Sequence, residues 1–212
     1  MLQCKNLTCV REERVLFSNL NFTLHPGEIV HVEGPNGVGK TSLFRLLSGL
    51  SRPYSGDITW QDKGILSDRA YYHEQLLYIG HKSGVKPELT ALENLSFYHS
   101  LYNCELEYDA WDVLALVGLV GYENIPAGQL SAGQQRRVAL ARLWFTHCSL
   151  WILDEPFTAI DKNGVSVIER LLVEHAKNGG MVILTTHQDL LIPDNLYKKL
   201  IMKKPTAEEQ YV

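Results

Sequence analysis

The chain has 212 residues, 20 Lys and Arg against 24 Asp and Glu, a formal net charge of −4 and 45% hydrophobic content. That supplies a sizeable core, and an acidic balance with no Lys/Arg block argues against direct nucleic-acid binding. No stretch approaches the ~20 consecutive apolar residues of a membrane span, and the first residues lack a signal-peptide core, so membrane association is expected only through a partner.

Two strands are expected first, around Leu2 to Thr8 and Val15 to Leu24. A third, Gly27 to Glu33, runs into Gly34-Pro35-Asn36-Gly37-Val38-Gly39-Lys40-Thr41, which fills every position of the Gly-x-x-x-x-Gly-Lys-Thr phosphate loop. Its backbone must bend round a polyphosphate with several N–H groups pointing inward, and glycine permits that approach at least steric cost. Gly34 through Ser42 are therefore read as ATP-binding. Lys40 reaches the outer phosphates as a point charge and is also read as catalytic, while the Thr41 hydroxyl ligates Mg²⁺. A helix from Thr41 through Leu47 points its N-terminus, with free N–H groups, at the same phosphates.

The middle of the chain reads as mostly helical, with helices over Leu89 to Tyr102 and Tyr108 to Val117. Leu130-Ser131-Ala132-Gly133-Gln134 then opens a helix that continues through Trp144; Ser131 is its expected cap, and the helix start is a second anion-seeking end. Ser149 to Pro156, Ser-Leu-Trp-Ile-Leu-Asp-Glu-Pro, is an apolar run ending in two carboxylates. Such a run is a strand buried on both faces, whose carboxyl end is where α/β sheets place ligands. Asp154 is assigned to the Mg²⁺ shell and Glu155 to the attacking water as general base. A helix over Gly164 to Lys177, a strand over Met181 to Thr186 delivering His187, and a last strand near Tyr197 to Met202 complete the pattern. No internal repeat or linker divides the chain, which reads as one domain over 1–212.

Cys4, Cys9, Cys104 and Cys148 have no C-x-x-C spacing and form no zinc pattern with the eight histidines. They read as free thiols and small buried residues of a reducing compartment.

Leu130 to Gln134 resembles the Leu-Ser-Gly-Gly-Gln signature of ABC-type ATPases, with Ala132 replacing one glycine. The resemblance implies an α/β P-loop NTPase fold, an ABC-type nucleotide-binding domain with an antiparallel β subdomain and a helical subdomain, about 81–145, inserted in the α/β core. It also implies ATP and Mg²⁺ as ligands and a head-to-tail homodimer. Ser131, Ala132, Gly133 and Gln134 of one copy then close on the phosphate loop of the other. Asp161, in Phe157-Thr158-Ala159-Ile160-Asp161, takes the D-loop place that joins the protomers, and His187 senses the γ-phosphate as a catalytic residue.

Two positions depart from that pattern. His81, in Tyr78-Ile79-Gly80-His81, stands where the family usually has a Q-loop glutamine. An imidazole accepts or ligates only when neutral, so His81 is not assigned to Mg²⁺ and reads as a partner-facing residue. Arg11 lies near the place of the adenine-stacking aromatic; a guanidinium plane stacks on a purine, and a solvated surface charge is the equal alternative.

Gly80-His81-Lys82, Leu130 to Trp144 and Trp151 to Asp161 resemble one branch in particular, the haem exporter ATP-binding subunits of bacterial cytochrome c maturation. That resemblance implies a peripheral protein on the cytoplasmic face of the inner membrane, docked on polytopic membrane subunits of the maturation complex. Its hydrolysis would serve haem export or release of a haem-loaded chaperone. The ATPase subunit of an ABC transporter for another solute is the alternative.

Overall fold

The computed structural model describes residues 1–102 and 108–205. β1 (Leu2–Arg11) and β2 (Arg14–Leu24) form a hairpin whose turn residues, Glu12 and Glu13, both take left-handed backbone with φ of 51° and 65°, the geometry that suits strand twist. β3 (Ile29–Glu33) leads through the phosphate loop into α1 (Lys40–Leu47). β4 (Ser55–Trp60), the two-residue β5 (Lys63–Gly64), α2 (Arg69–Glu74) and β6 (Leu76–Ile79) follow. Then come α3 (Ala91–Tyr102), α4 (Ala110–Leu116) and α5 (Ala132–Ala141). β7 (Leu150–Asp154), α6 (Lys162–Lys177), β8 (Met181–Thr185) and β9 (Tyr197–Ile201) complete the order.

The strands sort into an antiparallel sheet, β2-β1-β4-β5, and a parallel sheet, β6-β7-β8-β3-β9. β7 and β8 are buried at every position, as central parallel strands covered on both faces must be. One cover is the antiparallel sheet with α1, whose Leu43, Phe44 and Leu47 enter the same apolar cluster as Val30, Ile152 and Ile183. The opposite cover is α6, which packs Ile168, Leu172 and Ala176 against Trp151, Leu153 and Val182. The helices between β6 and β7 bury Leu95, Val113, Leu114, Leu130 and Val138 in a core of their own. The expected fold class is therefore realised, with an antiparallel sheet and a helical insertion built onto a parallel α/β core.

The expected strands and helices recur with end shifts that have local causes. α3 starts at Ala91, not Leu89, because Thr90 and Glu93 form a capping box: the Glu93 N–H donates to Thr90 Oγ1 at 3.1 Å and the Thr90 N–H to Glu93 Oε2 at 2.8 Å. α5 stops at Ala141, and Arg142 to Phe145 tighten into a 3₁₀ turn instead of continuing the helix through Trp144. There Leu143 and Phe145 enter different cores, and the Arg142 guanidinium lies 3.6 Å from the centre of the Tyr98 ring. Residues 48–80, left without assigned elements on sequence, hold β4, β5, α2 and β6. These are short, and β4 contains Gly56 at φ 86°, where a Cβ would collide with the Asn6 carbonyl of β1, its antiparallel neighbour. Cys4 and Cys9 are free thiols and buried, Cys148 is buried with its thiol donating to the Glu74 carbonyl at 3.5 Å, and Cys104 lies outside the described residues.

One buried contact sets a pH dependence. His175 of α6 stacks on Trp151 of β7, ring centroids 3.7 Å apart and 6° from parallel, and burial lowers its pKa from 6.5 to about 4. The unfolded chain then binds the proton more tightly, so the stabilisation is complete above pH 6.5 and fades as pH falls toward 4. Thermal or urea unfolding between pH 7 and pH 4 is expected to lose about 3 kcal/mol from this group, and His175→Gln to flatten that part of the profile. An unchanged slope in the variant would assign the acid sensitivity to other groups.

Candidate functional site

β6, β7, β8 and β3 are neighbours in the parallel sheet, so the segments leaving their carboxyl ends meet at one edge. Those segments carry His81, Asp154 and Glu155, His187, and the phosphate loop. In such sheets this edge is where ligands bind. An open cleft of about 470 Å³ lies there, lined by Asn36, Gly37, Lys40, Thr41, Ser42, Asp154, Glu155 and His187, and also by His81 and Arg11.

The phosphate loop is shaped by close approaches. A Cβ on Gly34 would sit 2.7 Å from the Met202 carbonyl, and one on Gly39, at φ 101°, would lie 3.1 Å from Leu16 and Phe17. Gly39 is also the N-cap of α1 and supplies no side-chain acceptor, so the first N–H groups of that helix stay open to an anion. The Lys40 ammonium donates to the Gly34 carbonyl at 2.6 Å and the Pro35 carbonyl at 3.4 Å. It is thereby held over the loop it serves.

Opposite stand the carboxylates at the end of β7. Asp154 is 3% exposed; its Oδ2 accepts from the Thr41 hydroxyl at 3.0 Å and its Oδ1 from the Thr185 hydroxyl at 2.9 Å. The Glu155 N–H in turn donates to Thr185 Oγ1 at 3.0 Å. Glu155 has φ 53°, a strained turn geometry of the kind stored at functional sites. His187 Nε2 lies 3.5 Å from Glu155 Oε1, with the histidine side chain 70% exposed and the glutamate 22%. The Thr41 hydroxyl and the Asp154 carboxylate are hard oxygens that meet beside the loop, a donor set that suits Mg²⁺.

Arg136 of α5 bridges two of these segments from beneath. Its Nη1 donates to the Gly80 carbonyl at 2.6 Å and its Nη2 to the Asp154 carbonyl at 2.5 Å. Burial lowers its pKa, while Asp154 and Glu155 pull it back up. Arg136 and Thr185 were missed in the sequence reading. Their signals were present: Arg136 shares a helical stripe with the buried Ala139 and Leu140, and Thr185 is a hydroxyl ending an apolar strand.

The Ser131 to Gln134 segment and Asp161 do not line this cleft. Ser131 caps α5 in a full capping box with Gln134: the Gln134 N–H donates to Ser131 Oγ at 3.2 Å and the Ser131 N–H to Gln134 Oε1 at 2.8 Å. A Cβ on Gly133 would lie 2.9 Å from the Ala159 carbonyl, so the first turn of α5 packs on the segment before α6. Asp161 caps α6 through the Gly164 N–H at 2.8 Å and pairs with Arg137 at 2.7 Å. The capped helix start thus stands outside the lining of its own chain's phosphate-loop cleft.

Comparison with known proteins agrees with this geometry. The family model described as ABC transporter matches residues 17–158. The cytochrome c biogenesis ATP-binding export protein CcmA of Aliivibrio fischeri is 57% identical over 200 residues, covering 94% of this chain and 98% of the relative. CcmA of Vibrio cholerae is 54% identical over 206 residues, covering 97% and 100%, and that of Yersinia pestis 60% over 190 residues, covering 90% and 87%. Among solved structures, an ATP-binding subunit of an ABC transporter superposes with a TM-score of 0.79 at 25% identity, covering 88% of this chain and 79% of that one. A dimeric ATP-binding cassette in a post-hydrolysis state, bound to ADP and Pi, shares the fold at a TM-score of 0.76 and 23% identity, covering 96% and 97%. The chain belongs to the ABC transporter family of ATP-binding subunits, in the group of the cytochrome c biogenesis ATP-binding export proteins.

Proposed function

We propose that this protein is the ATP-hydrolysing subunit of a membrane ABC complex for cytochrome c biogenesis, coupling hydrolysis to haem export or to release of a haem-loaded chaperone. The convergence of Lys40, Thr41, Asp154, Glu155 and His187 on one cleft carries the ATPase reading; the printed function of relatives at 54–60% identity supports the cytochrome c role.

In this reading the N–H groups of Gly37 to Thr41 and the Lys40 ammonium grip the β- and γ-phosphates. The Arg11 guanidinium, on a residue that lines the cleft, offers a stacking face to the base. Mg²⁺, held by the Thr41 hydroxyl and the Asp154 carboxylate, would supply charge neutralisation to the phosphates. Glu155 takes the proton of the attacking water, and the Thr185 hydroxyl oxygen, accepting from its backbone N–H, anchors the turn that carries it. His187, beside Glu155, contacts the γ-phosphate. Ser131 to Gln134 of a second copy complete the site, and Asp161 lies at that junction. The separation of cleft and capped helix start on one chain, together with a dimeric relative of the same fold, favours this homodimer.

Among the described residues no helix is long and apolar enough to cross a membrane. Polytopic membrane subunits are the proposed anchor, on the cytoplasmic face of the inner membrane, and His81, which also lines the nucleotide cleft, is the residue proposed to couple to them. The test is to recover tagged Glu155→Gln protein from detergent-solubilised membranes with Mg²⁺ and ATP, then to identify its partners and record a haem spectrum. Co-purification of haem-handling membrane subunits is the expected result. Recovery of an unrelated permease would keep the ATPase chemistry and overturn the cytochrome c assignment.

A further inference from the structure

His31 lies on β3, three residues before Gly34, and is 6% exposed. Its Nε2 is 3.1 Å from the Thr186 carbonyl and its Nδ1 is 2.7 Å from the Tyr197 hydroxyl. A carbonyl only accepts, so Nε2 carries the proton there, and a neutral ring then accepts at Nδ1 from the Tyr197 O–H. Burial lowers the His31 pKa against the opposing pull of the Thr186 carbonyl and Glu33, which agrees with the neutral form. Glu33 Oε1, 3.3 Å from Nδ1, is engaged instead by Lys199 at 2.7 Å.

The geometry makes Thr186 a clamp around the next residue. Its carbonyl is held by His31, and its side-chain Oγ1 accepts from the Gln188 N–H at 3.0 Å. His187 sits between these two anchors with its own side chain 70% exposed, so packing around the imidazole cannot aim it. The β3–β8 ladder ends at His31 and Leu184; past that point the His31 side chain joins the phosphate-loop strand to the segment carrying His187.

We infer that His31 is a positioning residue for ATP hydrolysis: through the Thr186 carbonyl it fixes His187 relative to the phosphate loop, transmitting displacement of one to the other. This rests on the reading of His187 given above. Steady-state hydrolysis by His31→Leu and His31→Gln, each in wild-type and His187→Ala backgrounds, tests it, with thermal unfolding measured alongside. Leucine keeps the volume but removes both hydrogen bonds; glutamine can donate its amide N–H to Thr186 and accept from Tyr197. The expected result for His31→Leu is about a tenfold fall in kcat with KM for ATP unchanged, since misplacing a reacting group penalises the chemical step. Recovery to within about twofold is expected for His31→Gln, and no further loss from His31→Leu once His187 is alanine. Equal losses in both backgrounds, or a deficit that follows unfolding temperature and is not rescued by glutamine, would overturn the positioning role. Wild-type turnover by His187→Ala would overturn the reading of His187 and this inference with it; a normal His187 effect with an unaffected His31→Leu would overturn this inference alone.

Discussion

Glu155→Gln is expected to lower ATP turnover by about 10²–10⁴-fold while leaving ATP binding intact, the range over which a positioned general base contributes. Glutamine retains the shape of the side chain and the backbone bond from the Glu155 N–H to Thr185 Oγ1, so the turn at the end of β7 persists. What disappears is the carboxylate that receives the proton. The 3.5 Å contact with His187 changes too, but with the histidine 70% exposed such a surface contact adds little to stability. Single-turnover hydrolysis together with equilibrium ATP binding separates the two effects. Unchanged hydrolysis would show that another group takes the proton, and loss of binding would show that Glu155 shapes the nucleotide pocket instead.

Lys40→Ala is expected to weaken ATP binding about 10–100-fold, equivalent to the ~1.5–3 kcal/mol of a charge-assisted hydrogen bond. Lys40 gives its ammonium to the Gly34 and Pro35 carbonyls, and in the proposed complex it passes to the phosphates. The bond to Pro35 is exposed and that to Gly34 half-buried, so water replaces the ammonium at small cost to the fold. Titration calorimetry against ATP and against adenosine checks the assignment: affinity for ATP falls and affinity for adenosine stays. A parallel loss for both ligands would mean that Lys40 supports the loop rather than the phosphates.

Much of the site was legible in the amino-acid order because its parts are contiguous. The phosphate loop is eight consecutive residues between a strand and a helix, and Asp154 and Glu155 end an apolar run long enough to mark a buried strand. Ser131 announces a helix start through a cap and a glutamine three residues on, a pattern that acts within a single turn. The short elements of residues 48–80 were not legible. A two-residue strand and a six-residue helix have too few residues for a periodicity: β5 exists because β4 offers it an edge, and α2 because Asp68 caps it and Tyr72 is buried in the core.

The partnerships inside the site divide along the same line. Glycine freedom, cap chemistry and hydrophobic period act over a few residues, so they declare a nucleotide-binding loop, a strand-borne carboxylate pair and a capped signature helix before any folding is considered. The bonds from Thr41 and Thr185 to Asp154, spanning 113 and 31 residues, and from Arg136 to the Gly80 carbonyl, spanning 56, follow no local rule. They come from strand order: β7 lies between β6 and β8, with β3 on the far side of β8. Only that order brings four strand ends to one edge. Burial then requires the polar groups there to satisfy one another, and those requirements, invisible along the chain, tie Arg136, Thr185 and His31 to the segments that bear the chemistry.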